Sequence, residues 1–247
     1  MKFSVVTVFP ELVRDISGWG IFGKALEKSQ IELDIVNLRD YTHDRHRTTD
    51  DYIYGGGSGM VMKPEPFYEF MDDYTAKNSD YRVIYPSPQG KRFENEDAVR
   101  LANYDNLVFF CGRYEGIDER VMNLVDEELS IGDFVTSGGE LPAMVMIDAI
   151  GRHKPGVVGS FDSVENDSFY DGLLDHENYT RPDEYRGMGV PEVLRNGNHK
   201  LIDEERKMNS ILRTIIKRPD LFLKRDFDRE EKKMIVKLIR ELYSNVK

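Results

Sequence analysis

The chain has 247 residues, 40% of them hydrophobic, with a single cysteine and a formal net charge of −11 from 34 Lys+Arg against 45 Asp+Glu. That length holds one large domain or two modest ones. One cysteine excludes an internal disulfide framework and a Cys-rich zinc site, no apolar run reaches the ~18–20 residues of a membrane helix, and the acidic balance argues against a nonspecific nucleic-acid coat.

In chain order, MKFSVVTVFPEL begins with one Lys and a short apolar run that Pro10 and Glu11 break. It is a first strand rather than a signal peptide, so a soluble, cytoplasmic location is expected. Phe3–Phe9, Ile31–Leu38, Tyr81–Pro86 and Asn106–Cys111 are short and rich in Val, Ile and Phe, which predicts strands. Helices are expected from Pro10, over Pro64–Tyr74, Glu94–Tyr104 and Asp118–Val125, and over Leu141–Ile150, whose only charge is Asp148. The βαβα order predicts a mostly parallel sheet with helices on both faces. From Lys154 to His199 the pattern gives way to Gly, Pro, Asp, Asn and Tyr. Beyond it, Met208, Ile211, Leu212, Ile215 and Ile216 share one helical face, and Ile235, Leu238, Ile239 and Leu242 another, with Asp228 and Glu231 spaced as a capping box. The window Lys200–Arg225 carries +4, so the remainder carries −15. Local charge decides binding, so nucleic acid stays open.

The run Gly55-Gly56-Gly57-Ser58-Gly59 is not a phosphate loop. No Gly-Lys-Ser/Thr follows it, and Met60 stands where GxGxxG needs its third glycine. Thr42–Arg47, with two His, two Arg and an Asp, suits an anion or RNA contact, although such runs are commonly solvated loops. Gln89-Gly90, Gly112–Gly116 and Ser137–Glu140 are each an ordinary turn alone. Together they sit where an open parallel sheet places its ligand crevice, and their glycines let main chain approach a cofactor such as an adenine nucleoside. Cys111, ending an apolar strand, is read as a buried inert thiol. Arg152 follows a helix whose dipole it complements, and Asp167 has the context of an N-cap.

Thr42–Arg47, Tyr54–Met60, Ser87–Gly90, Cys111–Arg120 (CGRYEGIDER), Ile131–Asp133, Ser137–Ala143 (SGGELPA), Asp167–Phe169, Tyr179–Pro182 and Gly197–His199 occur in one order. This set closely resembles the bacterial tRNA (guanine-N1)-methyltransferase family, the TrmD type, over nearly the whole chain. The resemblance implies a SPOUT α/β parallel sheet with a deep trefoil knot, a topology that sequence reasoning alone would exclude, plus a small all-helical C-terminal domain. It implies a cofactor domain over 1–160, a linker over 161–170 and a tRNA-binding domain over 171–247. The implied reaction moves a methyl group from S-adenosylmethionine to N1 of the guanosine just 3′ of the anticodon, in a homodimer with shared sites and with neither DNA nor membrane as partner.

Carried over by position, cofactor contacts fall on Tyr85, Pro86, Ser87, Pro88, Gln89, Gly112, Tyr114, Glu115, Ile131, Gly132, Asp133, Phe134, Val135, Thr136, Gly138 and Gly139. The general base falls on Asp167 and the electrophilic partner on Arg152. RNA contacts fall on His43, Arg45, His46, Arg181, Asn198 and His199, with Arg186 and the 200–225 helix as further basic patches. A magnesium requirement is a family expectation that no metal-ligand spacing supports. The family often has a larger side chain at Thr136 and His at Asn178, so the RNA contact at 178 is left open. The rivals are a related knotted methyltransferase acting on a ribose hydroxyl or another base, a nucleotide-dependent oxidoreductase, which the missing GxGxxG disfavours, and a non-enzymatic RNA-binding module.

Overall fold

The computed structural model describes residues 1–159, 164 and 166–244, with side chains described through residue 240. It divides into two compact units, 1–161 and 162–247. Residues 161–163 and 165 of the expected linker lie outside the described residues, and 166–170 fall in the second unit.

The first unit is an α/β layer structure. Its strands β1 (Lys2–Thr7), β2 (Glu32–Asn37), β5 (Arg82–Arg92), β6 (Asn106–Phe110) and β7 (Glu127–Ser130) form one parallel sheet in the order β2-β1-β6-β5-β7. Two further short strands, β3 (Asp50–Tyr52) and β4 (Met60–Met62), pair antiparallel, with the glycine run between them. Both faces of the main sheet are buried. Phe3, Val5, Ile84, Leu107 and Phe109 face one core, and Val6, Val83, Val108 and Phe110 face the other. This two-residue alternation of buried side chains explains why the strands are continuous apolar runs. Helices α1 (Pro10–Ser17), α2 (Gly20–Glu27), α4 (Asn95–Leu101) and α5 (Glu140–Gly151) cover the first face, and α3 (Pro64–Thr75) covers the second.

Three local expectations are corrected. Asp118–Val125 is not α-helical but a 3₁₀ turn over Glu119–Leu124, begun by the Asp118 side chain accepting from Arg120 N. Strand β5 does not stop at Pro86; its register to β7 shifts between Pro86 and Lys91, so 87–90 bulge out while pairing resumes beyond. Strand β7 carries no apolar signal in its Glu-Glu start and is recruited by the sheet edge, where Arg100 binds Glu127 at 2.6 Å.

The second unit contains α6 (His199–Lys217), α7 (Pro219–Lys224) and α8 (Arg229–Ser244) around Leu173, Ile211 and Leu238. It is not purely helical. Strands β8 (Glu184–Tyr185) and β9 (Met188–Gly189) pair through Arg186 and Gly187, both at positive φ, as a two-residue hairpin turn requires. Ile216 and Ile239 are exposed rather than in the apolar face, because the buried stripe is narrower than the expected one; the Leu242 side chain lies outside the described residues.

The capping box forms as its spacing predicts. Glu231 N donates to Asp228 and Asp228 N donates to Glu231. Arg225 grips the Glu231 carboxylate with both terminal nitrogens at 2.8 and 2.9 Å, and Lys207 Nζ lies 3.1 Å away. The bidentate Arg225 bond is the main cause that pulls the Glu231 carboxyl from 4.5 down to about 2. A depressed carboxyl stabilises the fold above its ordinary value and loses that contribution as pH falls. Glu231→Gln is therefore expected to cost up to about 3 kcal/mol near neutral pH, with the gap to wild type closing as pH falls from 4.5 through about 2. Urea unfolding across that range, with amide exchange in α8, measures it.

Candidate functional site

The turns after β6 and β7 and the 87–90 bulge of the intervening strand β5 meet at one edge of the sheet. There they enclose a cavity of about 250 Å³. Its wall is unusually rich in main chain. A Cβ on Gly139 would lie 2.9 Å from Cys111 Cα, one on Gly90 2.5 Å from the Glu128 and Leu129 backbone, and one on Gly112 2.9 Å from the Tyr85 hydroxyl. At Gly139 and Gly90 a side chain would collide with main chain, so these approaches require glycine. Tyr85 is mostly enclosed, and its burial, helped by Glu128, raises its hydroxyl pKa.

Behind the cavity lies a buried ion pair. Glu140, the first residue of α5, is fully buried and stands 2.9 Å from Arg113 Nη2. Its other oxygen accepts from Thr7 Oγ1 at 2.6 Å, at the end of β1. Arg113 Nη1 donates to the Ser137 carbonyl at 3.1 Å, and its guanidinium sits 4.4 Å from the Phe9 ring centroid. The main chains run together here as well. Gly139 N donates to Gly112 O at 2.9 Å, and Arg113 and Gly138 form an antiparallel bridge. Cys111 is completely buried beside this pair, and burial, reinforced by the Glu140 charge, pushes its thiol well up, which leaves it an inert core residue.

Of the cofactor positions expected from sequence, Tyr85, Pro86, Ser87, Pro88, Gln89, Gly112, Tyr114, Glu115, Ile131, Gly132, Phe134, Val135, Thr136, Gly138 and Gly139 line the cavity. Asp133 does not; its side chain is 93% exposed and stands 3.3 Å from Arg92. The lining also includes Leu129 and Ser130, which sequence reasoning missed with β7, and Pro142. Arg113 lay inside a marked turn, but its pairing with Glu140 joins residues far apart in sequence and leaves no local signal.

Gly59, at positive φ, packs against Glu115, where a Cβ would lie 2.7 Å from Glu115 Cγ. Glu115 N donates to Met60 O and Met62 N to Gly116 O. The glycine run is thus the tip of a hairpin docked on the 112–116 turn rather than an unattached loop. His43, Arg45 and His46 are exposed on a turn organised by Asp44, which accepts from Thr48 N, Thr48 Oγ1 and His46 N. The Thr48 backbone bond is the leading cause that lowers the Asp44 carboxyl pKa. His43 Nε2 is 2.7 Å from Glu69.

Arg152 is the C-cap of α5 in the first unit, and Asp167 lies in a bend of the second. Arg181 is exposed; Asn198 caps α6 by accepting from Leu201 N, and exposed His199 is the first residue of that helix. Among the described residues no three His, Cys, Asp or Glu side chains are grouped to hold a metal ion, and no helix is long and apolar enough to cross a membrane.

A family model described as tRNA (Guanine-1)-methyltransferase TrmD matches residues 1–224. The chain belongs to this family. It is 55% identical over 247 residues, all of both chains, to the tRNA (guanine-N(1)-)-methyltransferase of Thermosipho africanus. It is 54% identical over 242 residues, 98% of each chain, to that of Thermotoga petrophila, and 51% identical over the full length of both to that of Fervidobacterium nodosum. TrmD membership places the glycine-walled cavity within a methyltransferase.

If the Arg113–Glu140 pair holds the cavity turns together, Glu140→Gln leaves a mostly buried guanidinium without its counter-charge and costs about 3–5 kcal/mol. Thr7→Val, which removes one neutral donor, costs about 1 kcal/mol. Urea denaturation of both variants and of the double variant measures this; a Glu140→Gln loss below that of Thr7→Val sinks the idea.

Proposed function

We propose that the chain transfers a methyl group from S-adenosylmethionine to N1 of the guanosine immediately 3′ of the anticodon in tRNA, as a cytoplasmic homodimer with shared sites. The observation that carries this reading is the main-chain-walled cavity at the ends of β6 and β7 and the bulge of β5 in a chain of the TrmD family. The cavity fits such a cofactor. Main chain at Gly112 and Gly138 can meet the hydrogen-bonding edge of an adenine, Pro86, Ile131 and Pro142 supply apolar contact, and Glu115 supplies a negative group for a cationic tail. Bound there, S-adenosylmethionine supplies an already activated sulfonium methyl group, so no protein nucleophile is needed.

The protein's task is then to make guanine N1 reactive. N1 keeps its proton at neutral pH, and Asp167 is assigned to remove it, a general-base contribution worth ~10²–10⁴-fold. Negative charge then grows on O6, and the Arg152 guanidinium is assigned to stabilise it, an effect worth a few kcal/mol. Residues 171–247 are assigned to tRNA, with RNA contacts at Arg181, Asn198 and His199, joined by His43, Arg45 and His46 of the first unit. The deep trefoil knot is supported by the passage of 137–139 against 111–113. Magnesium enters as a family expectation with no protein ligands assigned.

The shared site has its own physical support. The cavity touches Gly139 and Pro142 at the start of α5, whereas Arg152 stands at its end, after the 12 residues Glu140–Gly151. At 1.5 Å per residue that separates them by roughly 18 Å. That separation supports a site in which a second copy supplies Arg152. The apolar Leu141 and Val145 stay exposed on α5, a surface that a second copy would cover.

Incubation with unmodified tRNA and labelled S-adenosylmethionine, followed by mapping of the modified nucleotide, tests the reaction directly. Asp167→Ala is expected to abolish methylation while calorimetry still shows cofactor binding, and near-normal turnover removes Asp167 from the role of base. Arg152→Ala is expected to lower turnover more than cofactor affinity. Mixing an Arg152→Ala chain with one whose cavity is blocked by Gly112→Val restores activity in mixed dimers if the site is shared; no recovery in verified mixed dimers refutes the sharing.

A further inference from the structure

The hairpin of β3 and β4 is fixed to the turn that walls the cavity. Met60 O accepts from Glu115 N at 3.0 Å, Met62 N donates to Gly116 O at 3.0 Å, and Met62 O accepts from Asp118 N at 2.9 Å. The Met62 side chain is fully buried, and Met62 forms a parallel bridge with Ile117. Tyr52 stands opposite Met60 in the hairpin register. Its main chain is thus one strand spacing, about 5 Å, from the residue that binds the cavity-lining Glu115. The side chains point the other way. Tyr52 is 82% exposed and Tyr54 98%, with half-buried Ile53 between them. That alternation belongs to an extended segment, which turns 52 and 54 to one side and 53 to the protein. A Cβ at Gly55, Gly56 or Gly57 would meet nothing within 4 Å, so the space beyond Tyr54 is open.

A single exposed tyrosine is ordinary on a protein surface. Two on one side of an anchored hairpin, next to a cavity, form a platform. Residues 50–62 hold two carboxylates, Asp50 and Asp51, and no Lys or Arg. Such a surface repels phosphate and offers ring faces, which suits a nucleobase rather than a sugar-phosphate backbone. Neither tyrosine lines the cavity, so the base that they take is not the one that reacts. Guanine N1 lies on the pairing edge, and methylation there requires the guanine to leave the stack of its loop. Each neighbouring base then loses a stacking face, which an aromatic side chain can replace.

We propose that Tyr52 and Tyr54 form a stacking platform for a base adjoining the target guanosine in the anticodon loop, holding it while the guanine turns into the cavity. The assignment rests on the tRNA reaction proposed above. The contact is made by ring faces, so it needs neither hydroxyl and leaves the salt dependence of binding unchanged.

Unmodified tRNA carrying 2-aminopurine immediately 5′ or 3′ of the target guanosine reports stacking as quenched fluorescence. At saturating wild-type protein, one of the two positions is expected to stay quenched, and Y52A/Y54A to raise its emission. Fluorescence anisotropy is expected to show tRNA binding by Y52A/Y54A weakened at least ~5-fold, with the slope of log affinity on log salt held. Y52F/Y54F keeps both the quenching and the affinity. Calorimetry with S-adenosylmethionine, whose cavity neither residue lines, and thermal melting check the fold. The single variants Y52A and Y54A each show part of the loss and serve if the double variant folds poorly. Wild-type affinity and quenching in Y52A/Y54A with wild-type melting overturn the proposal, as does a phenylalanine pair that fails like the alanine pair. So does a shift of Y52A/Y54A from dimer to monomer in sedimentation velocity, which gives this face to a second copy. If the wild-type chain methylates no guanosine 3′ of the anticodon while the tyrosines still govern tRNA affinity, the platform stands and the reaction falls; methylation there with indifferent tyrosines does the reverse.

Discussion

A carboxylate with no solvent exposure is tolerable only when its charge is answered, and at Glu140 the answer comes from three directions at once. Arg113 supplies the counter-charge, Thr7 a donor, and the start of α5 the favourable end of a helix dipole. Each partner belongs to a different segment: the end of β1, the turn after β6, and, through the Ser137 carbonyl that Arg113 also binds, the approach to α5. The pair thereby converts three loops, each soft on its own, into one wall. Desolvation makes such a pair costly to assemble and more costly to break, a suitable property for a joint that must hold a cavity open.

The wall is thin because its members are glycines. Main chain at Gly112 touches main chain at Gly139, and the guanidinium of Arg113 fills the place that a side chain at 138 would take. Close passage pairs the two segments with each other and brings both to the cavity wall. The parallel sheet sets where this happens. Strands β6, β5 and β7 point the same way, so the turns leaving β6 and β7 gather on one edge. The bulge at 87–90 adds a third strip, beyond which β5 resumes its pairing with β7.

Charge in the second unit is divided by face. Cations directed inward, Lys207 and Arg225 above all, knit Asp171, Glu231 and the cap of α8 into a folded unit. On the exposed side of α8, Lys233 meets Glu230 one turn back. A chain with a strong acidic excess meets a polyanion only through local basic faces, because net charge sets long-range repulsion while the local face sets contact. Composition reports the first and is silent on the second.

Much of the architecture was legible from sequence. The strands at residues 2–7, 32–37 and 106–110 announce themselves because both faces of a parallel sheet are buried, and the Asp228/Glu231 box because capping is local. The three turns of the cavity were legible as glycine-bearing ends of strands, and the ordered motifs identified the TrmD family. Tertiary structure alone decided that β7 is a strand despite its acidic start, that Asp133 turns away from the cavity, that Ile216 and Ile239 face solvent, and that Arg113 belongs to Glu140. It alone paired Lys207, Arg213, Arg218 and Arg225, half of the basic residues of 200–225, with carboxylates of the same unit. Short-range preferences are written in neighbouring residues. A strand recruited by an edge, or a charge answered from 27 positions away, as Arg100 is by Glu127 and Arg113 by Glu140, exists only once the chain has folded.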